Sequence, residues 1–263
     1  MFDNICKFLA ENFSSDFATW LLGEPITLTE LSPKELSLEP IRADALILLQ
    51  SEQNILHLEF QTQVDAEIPF RMIDYRLRVY RRFPHKSMYQ VVIYLKQTNS
   101  DLVQQNTFTI AGTRHEFAVI RLWEQPTEVF LRTPGLLPLA VLSSTIEPEV
   151  ILNEVAREIN GITESRTQSN IAASTAILAG LVLDKEVIRR VLRSDIMRES
   201  VIYQDILQEG KAEGKAEGKA EALLEVASNL FNTGMPLEQI ARLTGLSIEQ
   251  LQYLQVTESD DSK

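Results

Sequence analysis

The chain has 263 residues, 25 Lys and Arg against 37 Asp and Glu, a formal net charge of −12, and 44% hydrophobic residues. That length holds one large domain or a domain with extensions, and the composition is that of a globular protein. An acidic balance excludes broad electrostatic coating of nucleic acid and leaves only local basic patches for phosphate contacts. The single cysteine, Cys6, excludes an internal disulfide and a cysteine-based zinc site, and it fits a reducing compartment. It is expected to be buried beside Phe2 and Leu9. The start, Met1 to Asn4, lacks the basic and apolar regions of a signal peptide. No apolar run approaches the ~20 residues of a membrane span, the stretch from Ile171 to Leu183 being short and containing Ser and Thr. The expectation is a cytoplasmic protein with no membrane partner.

The first informative segment runs from Arg42 to Gln61. Two β-rich runs, Arg42 to Gln50 and Ile55 to Gln61, flank the polar turn Ser51-Glu52-Gln53-Asn54, which is a hairpin signal. With the turn centred on Glu52-Gln53, Gln50 pairs with Ile55, Leu46 with Glu59 and Asp44 with Gln61. Side chains alternate faces along a strand, so Asp44, Glu59 and Gln61 are predicted to project from one face. Cross-strand neighbours stand ~4.5–5.5 Å apart and diagonals ~7–8 Å. Two carboxylates at that separation share a hard divalent cation through oxygen ligands and water. Leu46, Leu48 and Ile55 occupy the same face, which therefore reads as a lined cleft more than as a solvated strand surface. A one-residue slip of register would send Asp44 to the other face.

An Asp, a hairpin and then Glu-x-Lys is the pattern of the PD-(D/E)XK nuclease superfamily. The Glu-x-Gln version here, Glu59-Phe60-Gln61 within Leu56 to Gln63, resembles the Rpn branch (recombination-promoting nucleases, also described as transposases). The resemblance extends from Phe2 to about Ile206 and includes Trp20 to Pro25, Arg71 to Arg76 and Pro134 to Pro138, as in cyanobacterial members of that branch. It implies a restriction-endonuclease-like αβββαβ core and metal-dependent DNA cleavage linked to recombination or transposition. Asp44 and Glu59 would hold Mg²⁺, or another divalent ion such as Mn²⁺ or Ca²⁺, and Gln61 would stand where most of the superfamily has Lys. Gln61 can orient a water but carries no charge. The superfamily often adds an acid from the first helix, and Asp16 and Glu24 are the candidates. The competing expectation is a nuclease-fold protein that cleaves weakly or not at all and serves as a dimeric DNA-binding or assembly factor. Gln61 and the acidic balance favour it.

After Gln63 a helix is predicted from Pro69 to Phe83, with Pro69 acceptable near its start. It carries Arg71, Arg76, Arg78, Arg81 and Arg82 against one acid, Asp74. These arginines either reach phosphate at the rim of the cleft (Arg71, Arg76, Arg78 and Arg82 being the candidates) or pair with surrounding acids on a solvated helix. Met88 to Leu95 reads as a buried strand. Phe108 to Ala111 and Phe117 to Trp123 read as further strands, with Gly112 in a turn and Thr113 to Glu116 in a loop. The alternation of helix, strands, helix and strand gives an α/β class. Glu147 to Leu207 reads as mostly helical, and the nearly all-round apolar stretch from Asn170 to Leu183 should be buried.

Residues 209–221 repeat Glu-Gly-Lys-Ala with a period of four. At ~3.6 residues per turn each residue type keeps its own stripe, so like charges align at i,i+4 and every glycine costs ~1 kcal/mol against alanine. A lone helix of this sequence is poor. In a parallel pair the Lys flank of one copy meets the Glu flank of the other, so the segment is either a parallel dimerisation arm or a flexible solvated linker. Leu223 to Phe231 reads as an amphipathic helix. Met235 to Leu251 then has the outline of two short helices around Gly245, with Ser247 as N-cap. The second offers Glu249, Gln250 and Gln252 and no cation, which suits a packing module better than a DNA reader.

The expected organisation is a nuclease-like core over 1–146, a helical extension over 147–207, the repeat arm over 208–232, the helix-turn-helix-like hairpin over 233–257 and a disordered tail over 258–263. Other chemistries fail on their spacing. His57-Leu58-Glu59 matches H-x-E without the PCxxC of zinc deaminases, and the three histidines form no HExxH. There is no G-x-S-x-G or phosphate loop, and the GKAE repeat lacks both the preceding strand and the GK[ST] ending.

Overall fold

The computed structural model describes residues 2–31, 47–192, 196–200 and 234–252, together with 203–204, 208, 211, 215, 222–224 and 226–231. Asp44 and most of the 209–221 repeat lie outside the described residues, as does the tail. The chain divides into two compact units, Met1–Gln204 and Asp205–Lys263.

The first unit begins with helices α1 (Phe2–Asn12) and α2 (Ser14–Leu22). α1 buries Ile5, Cys6, Leu9 and Ala10, an i, i+1, i+4, i+5 stripe that marks one face of a helix. Burial pushes the Cys6 thiol well up, so it stays protonated and inert. α2 stops at Gly23, whose φ of +82° closes the helix through a bond from its N–H to the Thr19 carbonyl. Strands β1 (Thr29–Glu30), β2 (Ile47–Gln50) and β3 (Asn54–Gln61) follow, then helix α3 (Ile68–Arg82) and strand β4 (Ser87–Tyr94). β5 (Thr107–Ile110), β6 (Thr113–Glu116) and β7 (Ala118–Arg121) complete the strands.

Five of these form one sheet in the order β1-β2-β3-β4-β7. β1 pairs with β2 and β2 with β3 in antiparallel fashion. β3 with β4 and β4 with β7 are parallel. The unit is therefore mixed α/β, the class that the alternation of elements predicts. The β2–β3 register is the predicted one over the described residues, from Ile47 opposite Leu58 to Gln50 opposite Ile55. β3 is the central strand, and Ile55 to Phe60 are all buried. Alternation sends Leu56, Leu58 and Phe60 to one face and Ile55, His57 and Glu59 to the other. The first face meets the N-terminal helices, with the rings of Phe60 and Phe17 edge to face at 6.2 Å. The second lies under α3, which buries Ile68, Met72, Tyr75 and Val79 at i, i+4, i+7 and i+11.

Two expectations for the strands change. Thr113 to Glu116, read as a loop, forms β6 and pairs antiparallel with β5 as a separate two-stranded ribbon. The ribbon turns on Ala111-Gly112, where glycine supplies a φ of +77° that a side chain disfavours. The strand expected over Phe117 to Trp123 shortens to Ala118–Arg121, because the chain turns into a 3-10 helix at Leu122–Glu124.

The remainder of the first unit is helical: α4 (Leu137–Ala140), α5 (Pro148–Asn160), α6 (Ser165–Ala179) and α7 (Lys185–Val191). α6 is buried from Ser169 to Thr175 and again at Leu178 and Ala179, as its composition predicts. Glu164 caps it, its carboxylate accepting from the N–H groups of Arg166 and Thr167. A 3-10 turn at Pro134–Leu136 precedes α4 and contacts α2.

In the second unit, residues 222–224 and 226–231 are helical. Helix α8 (Leu237–Thr244) ends at Gly245 with φ +75°. Ser247 and Gln250 then form a capping box that opens the next helical stretch. The Ser247 Oγ accepts from the Gln250 N–H at 3.2 Å, and the Gln250 Oε1 accepts from the Ser247 N–H at 3.0 Å. Ala227, Ile240 and Leu251 form the buried centre of this small bundle. Among the described residues no helix is long and apolar enough to cross a membrane.

Among the described residues Gly135 is the tightest glycine. A Cβ there would meet the Phe13 Cβ at 2.2 Å and the Asp16 Oδ2 at 2.7 Å. The variant Gly135→Ala is expected to destabilise the fold by ~2 kcal/mol, as overpacking of a closed contact does, measured by chemical denaturation.

Candidate functional site

The α3-facing side of β3 carries His57, Glu59 and Gln61 in succession. On β4 the residues directly beside them are Gln90, Val92 and Tyr94, because the parallel register pairs His57 with Gln90, Glu59 with Val92 and Gln61 with Tyr94. α3 covers this surface, so the carboxylate is enclosed: Glu59 is 3% exposed and His57 is 0% exposed. His57 and Glu59 form a covered polar string, and Gln61 at its end is half-buried. The stripe of Ile68, Met72 and Tyr75 seals it against solvent.

A buried carboxylate needs partners. Gln61 Nε2 donates to Glu59 Oε1 at 3.1 Å. The Arg71 Nη2 stands 3.0 Å from the same oxygen, while its Nη1 stands 3.1 Å from the Asp65 Oδ2. Arg71 thus bridges two carboxylates. The other oxygen, Glu59 Oε2, has the His57 Nε2 as its neighbour at 3.7 Å, beyond hydrogen-bond reach.

The position of the histidine proton follows from the string behind it. Gln90 Nε2 lies 2.7 Å from the Met72 carbonyl and 3.0 Å from the His57 Nδ1. A carbonyl only accepts, so the Gln90 amide must present its NH₂ to it. The same NH₂ then donates to Nδ1, which leaves the proton of a neutral imidazole on Nε2, facing Glu59. His57 also sits edge to face on Tyr75, with ring centroids 5.2 Å apart. Burial, and then the charge of Glu59, push the Tyr75 phenol up.

The other sequence candidates have separate roles. Asp16 accepts from the Gly135 N–H at 2.9 Å and so ties α2 to the Pro134–Leu136 turn. Glu24 is exposed beyond the end of α2. Of the arginines of α3, Arg71 and Arg78 meet carboxylates, Arg78 bonding Asp74 at 2.9 Å, while Arg76 donates to the Met88 carbonyl at 2.5 Å and Arg81 and Arg82 are exposed. Arg82 lies over the Phe83 ring at 5.9 Å. Asp44, the expected second metal ligand, lies outside the described residues. Among the described residues no group of three His, Cys, Asp or Glu side chains could hold a metal ion.

Sequence reasoning missed four participants. His57 was legible through its i, i+2 spacing from Glu59. Gln90 was legible as the lone amide in an apolar run. Asp65 and the inward role of Arg71 depend on the approach of α3, which no local pattern gives. Asp3 is a further acid of α1 that feels Glu59: burial and then that carboxylate raise its own carboxyl.

Compared with known protein families, with curated proteins and with solved structures, the chain matches none.

Two consequences can be measured. Arg71→Met leaves the Glu59 carboxylate covered without its cation and is expected to cost ~2 kcal/mol, moderated by the partial exposure of Arg71. Arg71→Met combined with Glu59→Gln should cost less than the sum of the two single changes in a double-mutant cycle. Asp3 has a raised carboxyl in the folded state, so it helps folding below its unfolded pKa of about 4 and that help fades as pH rises through the folded value. Asp3→Asn should therefore stabilise the protein relative to wild type at neutral pH, with the advantage shrinking below about pH 4, as read from unfolding midpoints across pH.

Proposed function

We propose that the protein is a metal-dependent DNA endonuclease of the PD-(D/E)XK type, related to the Rpn branch and to recombination or transposition. The observation that carries this reading is the enclosed Glu59, whose Oε1 is met by Gln61 and Arg71 while its Oε2 accepts no hydrogen bond from a described residue. A carboxylate oxygen kept polar, buried and unbonded is the donor a hard cation takes. The order of α2, β1, β2, β3, α3 and β4 supports the αβββαβ core, and the observed β2–β3 register agrees with the hairpin on which the site was read.

In this proposal Glu59 Oε2 and Asp44 are the ligands of Mg²⁺, or of Mn²⁺ or Ca²⁺, with Asp44 assigned from the sequence alone. The donor set among the described residues fits in part, since it supplies one of the two carboxylates. When bound, the ion would acidify a water and offset charge on the phosphate. The chain's own contribution is orientation. Gln61 is fixed by its bond to Glu59, Arg71 holds the carboxylate at Oε1, and α3 covers the site. A parallel homodimer through residues 209–221 belongs to the same proposal and rests on the charge pattern of the repeat.

A second reading has an observation of its own. Arg71 already neutralises Glu59, and Gln61 brings no charge, which favours a nuclease-fold protein that binds DNA or assembles as a dimer without efficient cleavage.

The test is supercoiled plasmid with Mg²⁺ or Mn²⁺ and the full chain, beside Asp44→Ala and Glu59→Ala. Nicking by wild type is expected, and both variants should lose it by at least ~100-fold, the scale of removing a group that stabilises transition-state charge. A folded wild type that fails to nick with either divalent ion would leave the second reading.

A further inference from the structure

Next to the covered string the first unit opens a cleft of about 390 Å³, lined by Thr62, Gln63, Val64, Tyr94, Lys96, Gln97 and Thr98. It lies where the parallel strands β3 and β4 both end, and the ends are tied together by the bond from the Leu95 N–H to the Gln61 carbonyl at 2.8 Å. Chains that leave two parallel strands at their carboxyl ends diverge, and the crevice between them is the usual ligand position in such sheets. Here it begins one residue beyond Gln61.

The lining is one-sided in its chemistry. It holds one cation, three hydroxyls and two amides, and no carboxylate, in a chain of net charge −12. Lys96 is exposed and makes no ion pair or hydrogen bond with a described residue. Asp65, the residue after Val64, is already paired with Arg71. Thr98 Oγ1 accepts from the Ser100 N–H at 3.3 Å, so its own proton is free to be donated outward. Tyr94, the neighbour of Gln61, keeps its phenol protonated, since burial and then Asp65 push it up.

From this geometry we infer that the cleft at the ends of β3 and β4 is a phosphate subsite, with Lys96 supplying the positive charge and Tyr94, Thr62 and Thr98 the hydroxyl donors. The inference rests on the proposed nuclease reading and names the place where a backbone phosphate of the substrate would sit. It also supplies the positive charge missing at Gln61 from a side chain two residues past the end of the neighbouring strand. Of the five arginines of α3, Arg71, Arg76, Arg78 and Arg82 are turned to carboxylates, a carbonyl and a ring and Arg81 lies in the last turn, toward the start of β4, so Lys96 is the one cation among the described residues that line the cleft.

The test uses the full chain and a fluorescent duplex oligonucleotide, with anisotropy read in Ca²⁺ across a series of salt concentrations and plasmid nicking read in Mg²⁺. Lys96→Gln is expected to weaken binding about tenfold and to flatten the slope of log K against log salt by about 0.9, one phosphate contact. Lys96→Arg should keep the slope, since charge is retained. Wild type that binds and nicks, with Lys96→Gln matching it in affinity and slope, would overturn the subsite and leave the nuclease reading standing. Wild type that neither binds nor nicks would overturn both.

Discussion

The placement of one negative charge, Glu59, on the covered face of the central strand constrains everything around it. A carboxylate removed from water is costly unless cations and donors meet it. Gln61 meets it from the same strand and Arg71 from α3, and both converge on Oε1. α3 must therefore cross β3 with Arg71 over Glu59. That crossing also places Tyr75 on His57 and the Met72 carbonyl on Gln90. The apolar stripe of α3 supplies the packing, and the polar string sets the position at which it packs.

The string is directional. Gln90 is bound to a carbonyl that can only accept, it fixes His57 as acceptor at Nδ1, and the imidazole turns its N–H toward the unbonded oxygen of Glu59. A buried polar network of this kind restricts the site to one arrangement. The open chemistry lies beyond it, at the ends of β3 and β4, where the lining changes from carboxylate-centred to cation- and hydroxyl-centred. In the proposed nuclease, the covered acid would hold a cation and the neighbouring cleft an oxyanion of the phosphodiester.

Much of this was legible in the residues. The β2–β3 register followed from alternation and a four-residue turn, and it places Leu48 and Ile55 together against Tyr75 and Val79 of α3. α3 followed from the arginine-rich run opened by Pro69 and β4 from its near-continuous apolar run, each to within a residue at either end. β6 did not, because Thr113-Arg114-His115-Glu116 has no apolar alternation, and it is a strand only through its pairing across Gly112. The enclosure of Glu59 did not either. Two acids and an amide on an apolar face suggest a cleft, and only the tertiary approach of α3 closes it. The arginines show the same limit: composition gave a basic helix, while packing turned Arg71 inward to a carboxylate.

The central claim is that Glu59 presents its free oxygen to a divalent cation. The most direct measurement is a crystal of the full chain grown with Mn²⁺ and read by anomalous scattering. The account predicts a peak about 2.1 Å from the Glu59 Oε2, with Asp44 as a second ligand. A well-ordered site with no anomalous signal there at saturating Mn²⁺, and with Arg71 still on Glu59, would contradict it.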